Sequence, residues 1–275
     1  MHFGTRHWSG NNEALLDRLN SYAADIVINT GDNTTDSLER EFEAAGNFLK
    51  SIKCRHIISI AGNHDKRSMR SQDFFRRYID DIDAIRPLNP ENCDKNKIYL
   101  DEYTTGVEER LTDINFVKKI KICDEVFLVV ALDTNESFQD IGFIDKEMLA
   151  SASHQINSMS YDKIILLNHH SILDTDLDPL YNSRHIVDFV REHKIEHVFC
   201  GHTHKLALTR STDFYHNHSF THYKNGSLSS VNSPNDSNMF LFYENFATDQ
   251  MKIHLIRIFV EGDSLRFEEE LIIPC

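Results

Sequence analysis

Four polar islands, each set at the end of an apolar run, govern what this chain can fold into. They are Gly31-Asp32-Asn33, Gly62-Asn63-His64-Asp65, Asn168-His169-His170 and Gly201-His202-Thr203-His204. The runs before them are short and largely apolar: Asp25 to Thr30, His56 to Ala61, Lys163 to Leu167 and His197 to Cys200. Such runs predict buried strands. Helical stripes lie between: Ala14, Leu15, Leu19 and Tyr22, then Leu38, Phe42, Ala45, Phe48, Leu49 and Ile52. Their spacing turns one face of each helix toward a core. A strand is predicted over Glu125 to Asp133, with helices near Asp145 to Met159 and Arg184 to His193. This rhythm predicts an α/β fold that gathers the islands at the carboxyl ends of its strands.

Two stretches depart from the rhythm. Residues from about Ser68 to Lys121 are charged, hold Pro87 and Pro90, and read as an insertion or cap over one end of the sheet. Toward the end, Phe240 to Tyr243, Met251 to Val260 and Ser264 to Ile273 alternate as strands do, around the turn signal Glu261-Gly262-Asp263. They predict antiparallel strands completing a second sheet. No repeat or linker divides the chain, so residues 1–275 read as one domain, long enough for a full core. The net charge of −14 argues against a broad basic surface for nucleic acid. Bound divalent cations would reverse that field locally. No apolar run approaches the roughly 20 residues of a membrane span, and His2 to Asn12 lacks the pattern of a secretory signal. Five scattered cysteines without a CxxC pair read as reduced thiols, Cys54, Cys123 and Cys200 as small core residues. The expectation is a cytoplasmic protein without a membrane partner.

Imidazoles, a carboxylate and an amide at strand ends are the donors from which a site for two cations is built. Asp32 is the natural bridge, with His2, Asn63, His169, His202 and His204 as the remaining donors. Any single island has an ordinary reading as a polar turn. Four in this order, each behind a strand, rarely arise by accident. They resemble the calcineurin-like metallophosphoesterases, whose motifs run DxH, GDxx(D), GNH(D/E), a histidine after a strand, and GHxH. The match spans Met1 to His204, with Met1-His2-Phe3-Gly4 standing for the first motif without its aspartate.

The resemblance implies a four-layer β-sandwich of α/β class flanked by helices, with the cap or insertion segment added. It implies two divalent ions, Mn, Fe or Zn. One would be held by His2, Asp32 and His204, the other by Asp32, Asn63, His169 and His202. His64 would stabilise the transition state or protonate the leaving oxygen, Asp65 would orient its imidazole, and Asn63, His64 and His170 would meet the substrate phosphate, His170 from the rim. The implied reaction is phosphate-ester hydrolysis through a metal-bridging hydroxide. Asn63-His64 and the closing GHTH resemble the cyclic-nucleotide phosphodiesterase branch, so a nucleotide or small diester is the first expected substrate. A repair-type nuclease, a glycerophosphodiesterase and a sugar-nucleotide or lipid pyrophosphatase are its rivals. A different reading, a degenerate scaffold or weakly active enzyme, rests on the missing aspartate. Restoring the motif places Ser-Asp and a first strand ahead of Met1, so the expected reading frame begins upstream.

Other residues have plainer readings. His216, His218 and His222 could share a face and line the cleft or hold a third metal, though a solvent-facing polar strand suffices. His185, His193 and His197 read as surface residues, and Asp80, Asp81 and Asp83 as a solvated face. Arg6, His7 and Trp8 could touch substrate, Trp8 by stacking, or Trp8 could pack on the adjoining helix. Asp133 reads as structural.

Overall fold

The computed structural model describes residues 1–7, 12–80, 82–93, 114–231 and 238–272. The elements begin with α1 (Asn12–Asn20), β1 (Ile26–Asn29), α2 (Glu39–Ser51), β2 (His56–Ser59) and α3 (Ser71–Phe74). They continue with β3 (Phe116–Ile122), β4 (Glu125–Leu132), α4 (Lys146–Asn157), β5 (Lys163–Asn168), α5 (Ser183–Glu192) and β6 (His197–Cys200). Five strands close the chain: β7 (Ala207–Asp213), β8 (His218–Lys224), β9 (Met239–Glu244), β10 (Lys252–Glu261) and β11 (Ser264–Ile272).

Six strands form one sheet in the order β3-β4-β5-β6-β8-β7. Its inner strands run parallel and its two edges antiparallel. Strand β4 shows why this sheet is internal. Leu128, Val130 and Leu132 face α4 and α5, while Phe127, Val129 and Ala131 face the opposite layer, all of them buried. A strand covered on both faces reads as a continuous apolar run rather than an alternating one. The opposite layer holds the parallel pair β1-β2 and the antiparallel β11-β10-β9. Helices α1 and α2 cover that layer through Leu15, Ala45, Phe48 and Leu49. Helix, sheet, sheet, helix is the four-layer arrangement expected from the sequence. Among the described residues, no helix is long and apolar enough to cross a membrane.

Two readings change. The expected insertion ends in a true strand: β3 buries Phe116 and Ile120 against the core while Lys119 and Lys121 face solvent. An edge strand with one wet face carries charge at alternate positions, which disguises it. Nor is residue 68 onward all detached, because Phe74 and Phe75 join Phe42 of α2 in one core cluster. Residues 94–113 of that segment lie outside the described residues, as do Trp8 and Asp81.

Candidate metal centre

The carboxyl ends of β1 and β2 lead to Asp32 and Asn63, that of β5 to His169, and that of β6 to His202 and His204. His2 joins them because Met1 to Phe3 lies along the loop after β1, with His2 N donating to Asp32 O at 2.7 Å and Phe3 N to Asn33 O at 2.9 Å. The turns are tight. His2, Asp32, His202 and His204 have φ of 55°, 53°, 68° and 55°, a region that costs other residues than glycine on the order of 1 kcal/mol or more each. Gly31, at φ 101°, sets the turn into Asp32. Gly62 is needed for space, since a Cβ there would stand 2.2 Å from Asp32 Oδ1.

Asp32 divides its two oxygens. Oδ2 lies 3.5 Å from His2 Nε2, and Oδ1 lies 3.4 Å from His169 Nε2. On the first side His2 Nε2 and His204 Nε2 are 2.8 Å apart, and one ligand atom each from His2, Asp32 and His204 fall within 4.8 Å of one another. On the second side Asn63 Oδ1 lies 3.0 Å from His169 Nε2 and 3.2 Å from His202 Nδ1. All six residues proposed from the sequence converge on this one carboxylate.

The hydrogen bonds around these groups decide where the lone pairs point. His169 Nδ1 is 2.7 Å from the carbonyl oxygen of Thr30. A carbonyl only accepts, so Nδ1 carries the proton and Nε2 is bare in the neutral ring. Asn63 Nδ2 donates to Asp140 Oδ1 at 2.7 Å, which turns the amide oxygen inward. Burial opposes charge on His169, yet Asp32 raises its pKa above the usual imidazole value. Without an ion, Nε2 therefore holds a proton toward Asp32 Oδ1, and a cation bound there would take that proton's place. These residues fit a pair of divalent ions: His2, Asp32 and His204 for one, Asp32, Asn63, His169 and His202 for the other. Burial brings His202 and His204 down to about 4 and His2 to about 2, which keeps the rings in the neutral, ligating form. Burial opposes charge on Asp32, yet His169 and His2 hold its carboxyl well below the usual range.

His64 sits beside the first group, its ring 4.8 Å from that of His2 in edge contact. Its Nδ1 donates to Thr35 O at 2.7 Å, and its Nε2 accepts from Arg6 Nη1 at 3.0 Å and Arg67 Nη2 at 3.3 Å. The expectation that Asp65 orients this ring is corrected. Asp65 accepts from the backbone N–H of Asn33, Thr34 and Gly62, and from the side chains of Asn33 and Thr34. It ties the loop after β1 to the loop after β2, and the Thr35 carbonyl holds the imidazole.

His170 is also corrected. It is 1% exposed, with ring nitrogens on Thr134 Oγ1 and Asp140 O, both at 3.0 Å. Both nitrogens are occupied and the ring backs His202 at 4.4 Å, so it supports a ligand instead of meeting substrate. Arg67 and Asp140 went unnoticed in the sequence. Arg67 caps the 3-10 segment Asn63–Lys66, three residues beyond His64, a spacing that offered a signal; Asp140, on a loop after β4, offered none.

The remaining histidines disperse. His216 is on the β7–β8 turn, bonded to Asp213 at 2.7 Å. His218 and His222 are buried rather than solvent-facing, because β8 is an inner strand of the large sheet. Buried His193 meets Ser153 Oγ at 2.7 Å, and half-buried His197 meets the Tyr223 hydroxyl at 2.9 Å, so neither is a free surface residue. Cys123 is exposed in the β3–β4 turn, against the expectation of a core position, whereas Cys200 is buried. Asp133 is structural: buried, it accepts from Lys66 Nζ and Ile114 N, both at 3.1 Å.

Against known proteins, the sequence model for the calcineurin-like phosphoesterase family matches residues 1–206. None of the curated proteins matches the chain. Solved structures similar in fold include GAP50, described as the anchor in the inner membrane complex of Plasmodium. It is 10% identical, with a TM-score of 0.54 over 94% of this chain and 82% of that one. Purple acid phosphatase PPD1 from yellow lupin is also 10% identical, with a TM-score of 0.54 over 92% of this chain and 47% of that one. Vps29 of Entamoeba histolytica, complexed with zinc, is 15% identical, with a TM-score of 0.43 over 98% and 94%.

Proposed function

The chain belongs to the calcineurin-like phosphoesterase family, and from that premise we propose that it is a metal-dependent phosphodiesterase acting on a nucleotide or another small diester. The observation that carries this reading is the divided carboxylate of Asp32, with donor groups on both sides and His64 next to one of them. Two divalent ions held there would supply Lewis-acid charge to the phosphoryl oxygens and lower the pKa of water. Mn, Fe and Zn all suit this mix of imidazole, carboxylate and amide.

The protein's own groups do the rest. Arg6 and Arg67 converge on His64 Nε2, so two guanidiniums stand where an anionic phosphoryl group would arrive. Guanidinium donors match phosphate oxygens in planar pairs. Drawing them onto the substrate leaves His64 Nε2 facing the departing oxygen, with Nδ1 anchored on Thr35. With Nδ1 kept on Thr35 O, Nε2 takes up a proton from solvent once the arginines leave it. The imidazolium passes that proton to the departing alkoxide and returns to its neutral form, while the arginines orient and hold the anion. Asp140 fixes both the Asn63 amide and Arg67, which it accepts at 3.1 Å.

The test is a substrate panel with added Mn(II): bis-p-nitrophenyl phosphate, p-nitrophenyl phosphate, cyclic AMP and single-stranded DNA. Diester turnover should exceed monoester turnover. His64→Ala should lower kcat roughly 100-fold, the order set by general acid–base catalysis, and Arg67→Ala should mainly raise KM. Equal turnover by wild type and His64→Ala would remove the leaving-group role. A protein that binds no stoichiometric metal would remove the enzyme and leave the scaffold.

A further inference from the structure

Two carboxylates flank Arg67, and neither takes part in the chemistry at phosphorus. Arg67 Nη2 donates to Asp140 Oδ1 at 3.1 Å, and Nη1 lies 3.9 Å from Asp36 Oδ1. The same Nη2 reaches His64 Nε2 at 3.3 Å, so one guanidinium separates both acids from the reacting group. They come from different parts of the chain. Asp36 belongs to the loop after β1, its backbone N–H donating to Glu41 Oε2 at 2.8 Å. Asp140 belongs to the loop after β4, and its Oδ1 also accepts from Asn63 Nδ2 at 2.7 Å. Both are open to solvent, their side chains 48% and 70% exposed. Two loops thus carry negative charge to the rim of a centre that must attract anions.

Charge so placed weakens the hold on every anion, but not equally. A phosphate monoester carries two charges above its second ionisation at about pH 6, whereas a diester carries one. Coulomb energy scales with charge, so each carboxylate repels the monoester about twice as strongly. Hydrogen bonding acts in the same direction. A carboxylate only accepts, so neither acid can bond the third bare oxygen of a monoester, and that oxygen competes with them for Arg67. In a diester the same oxygen carries a carbon substituent and no charge.

We propose that Asp36 and Asp140 act together as a charge filter, admitting monoanionic diesters and penalising dianionic monoesters. The inference rests on the phosphoesterase reading above and names the residues that set its substrate class. Asp140 is also a brace for Asn63, and chemistry separates its two roles. An amide at position 140 keeps an acceptor oxygen for Asn63 Nδ2 and loses the charge, whereas alanine loses both. Among the described residues the Asp36 carboxylate bonds none of the six metal donors, so its amide variant reads charge alone.

The experiment uses wild type, Asp36→Asn, Asp140→Asn and Asp140→Ala with added Mn(II) at about pH 8, where a monoester is dianionic. It measures kcat/KM for p-nitrophenyl phosphate relative to bis-p-nitrophenyl phosphate, and the affinity for inorganic phosphate by calorimetry. Each Asn variant should raise the ratio about 5-fold, the upper end for one exposed charge pair, and tighten phosphate by a similar factor. Added NaCl, at about 0.5 M, should raise the ratio in wild type by screening exposed charge, and raise it less in the variants. An unchanged ratio and phosphate affinity in either Asn variant overturns the proposal. So does a change confined to Asp140→Ala, which leaves Asp140 a brace. If no form turns over either ester, the phosphodiesterase reading falls, while phosphate affinity still decides whether the filter exists. Phosphate that binds no form overturns both.

Discussion

Replacing Asp65 separates two accounts of the GNHD loop. In the structure its carboxylate receives three buried backbone donors, Asn33 N at 3.0 Å, Thr34 N at 2.8 Å and Gly62 N at 2.9 Å, plus two side-chain donors. Every partner donates, and a carboxylate only accepts. Asp65→Ala leaves three amide hydrogens buried without acceptors, at about 1–3 kcal/mol each. Relief of the buried charge offsets part of that, so the net loss should be about 4 kcal/mol. For a chain of this size, at roughly 2–4 °C per kcal/mol, the Tm falls by about 10 °C. Asp65→Asn keeps one oxygen but turns an NH2 group toward Thr34 or toward Asn33 and Gly62, losing about 1–3 kcal/mol. The order is therefore wild type, then Asn, then Ala, in thermal unfolding without metal. Isothermal titration with Mn(II) should show the same order, because the clamp holds Asp32 and Asn63 in place. If both variants melt and bind Mn(II) like wild type, yet lose turnover in proportion to leaving-group pKa, Asp65 serves His64 and the clamp is wrong.

Two further changes probe the surroundings of the centre. Gly142→Ala should weaken Mn(II) binding about 10-fold, the scale of losses behind a metal-ligating histidine, because the new Cβ would lie 2.4 Å from the His170 ring that backs His202; unchanged affinity by titration refutes this. His222 is fully buried with neither ring nitrogen hydrogen-bonded, and burial lowers it from 6.5 to about 4. The unfolded chain takes up a proton below about 6.5 that the folded chain refuses until about 4, so stability falls as pH drops through that window. The shift corresponds to on the order of 3 kcal/mol. His222→Phe should narrow the Tm difference between pH 7.5 and pH 5, and an undiminished difference would show that other groups set it.

Which parts of the site could be read from letters, and which could not, has a physical basis. Asp32, Asn63, His169, His202 and His204 were legible because each follows a short apolar strand, and strand ends are where this architecture opens to a ligand. Gly31 and Gly62 marked the tight approach for reasons visible in one residue, shape in one case and space in the other. The partner of the His64 ring was illegible, since a backbone carbonyl such as Thr35 O carries no side-chain signature. His170 was misplaced because a sequence shows that two histidines are adjacent without showing which nitrogen is already occupied. Strand β3 and the burial of β8 were illegible for opposite reasons. Lysines on an exposed edge hid the first, and polar letters buried in the sheet hid the second.

The same distinction bears on how the centre keeps its shape. Four of its six donor residues stand at positive φ, a conformation that Asp and His adopt more readily than most residues but that still costs energy. What holds them is contact between loops distant in the chain: His2 against Asp32 through the backbone, Asp65 across the loops after β1 and β2, and Asp140 on Asn63. Each cross-link joins a donor of one half of the centre to a loop of another strand. A centre built this way loses its geometry as a unit, so variants in the clamp should depress affinity for both ions together. Variants of a single ligand such as His204 should depress affinity for one ion first.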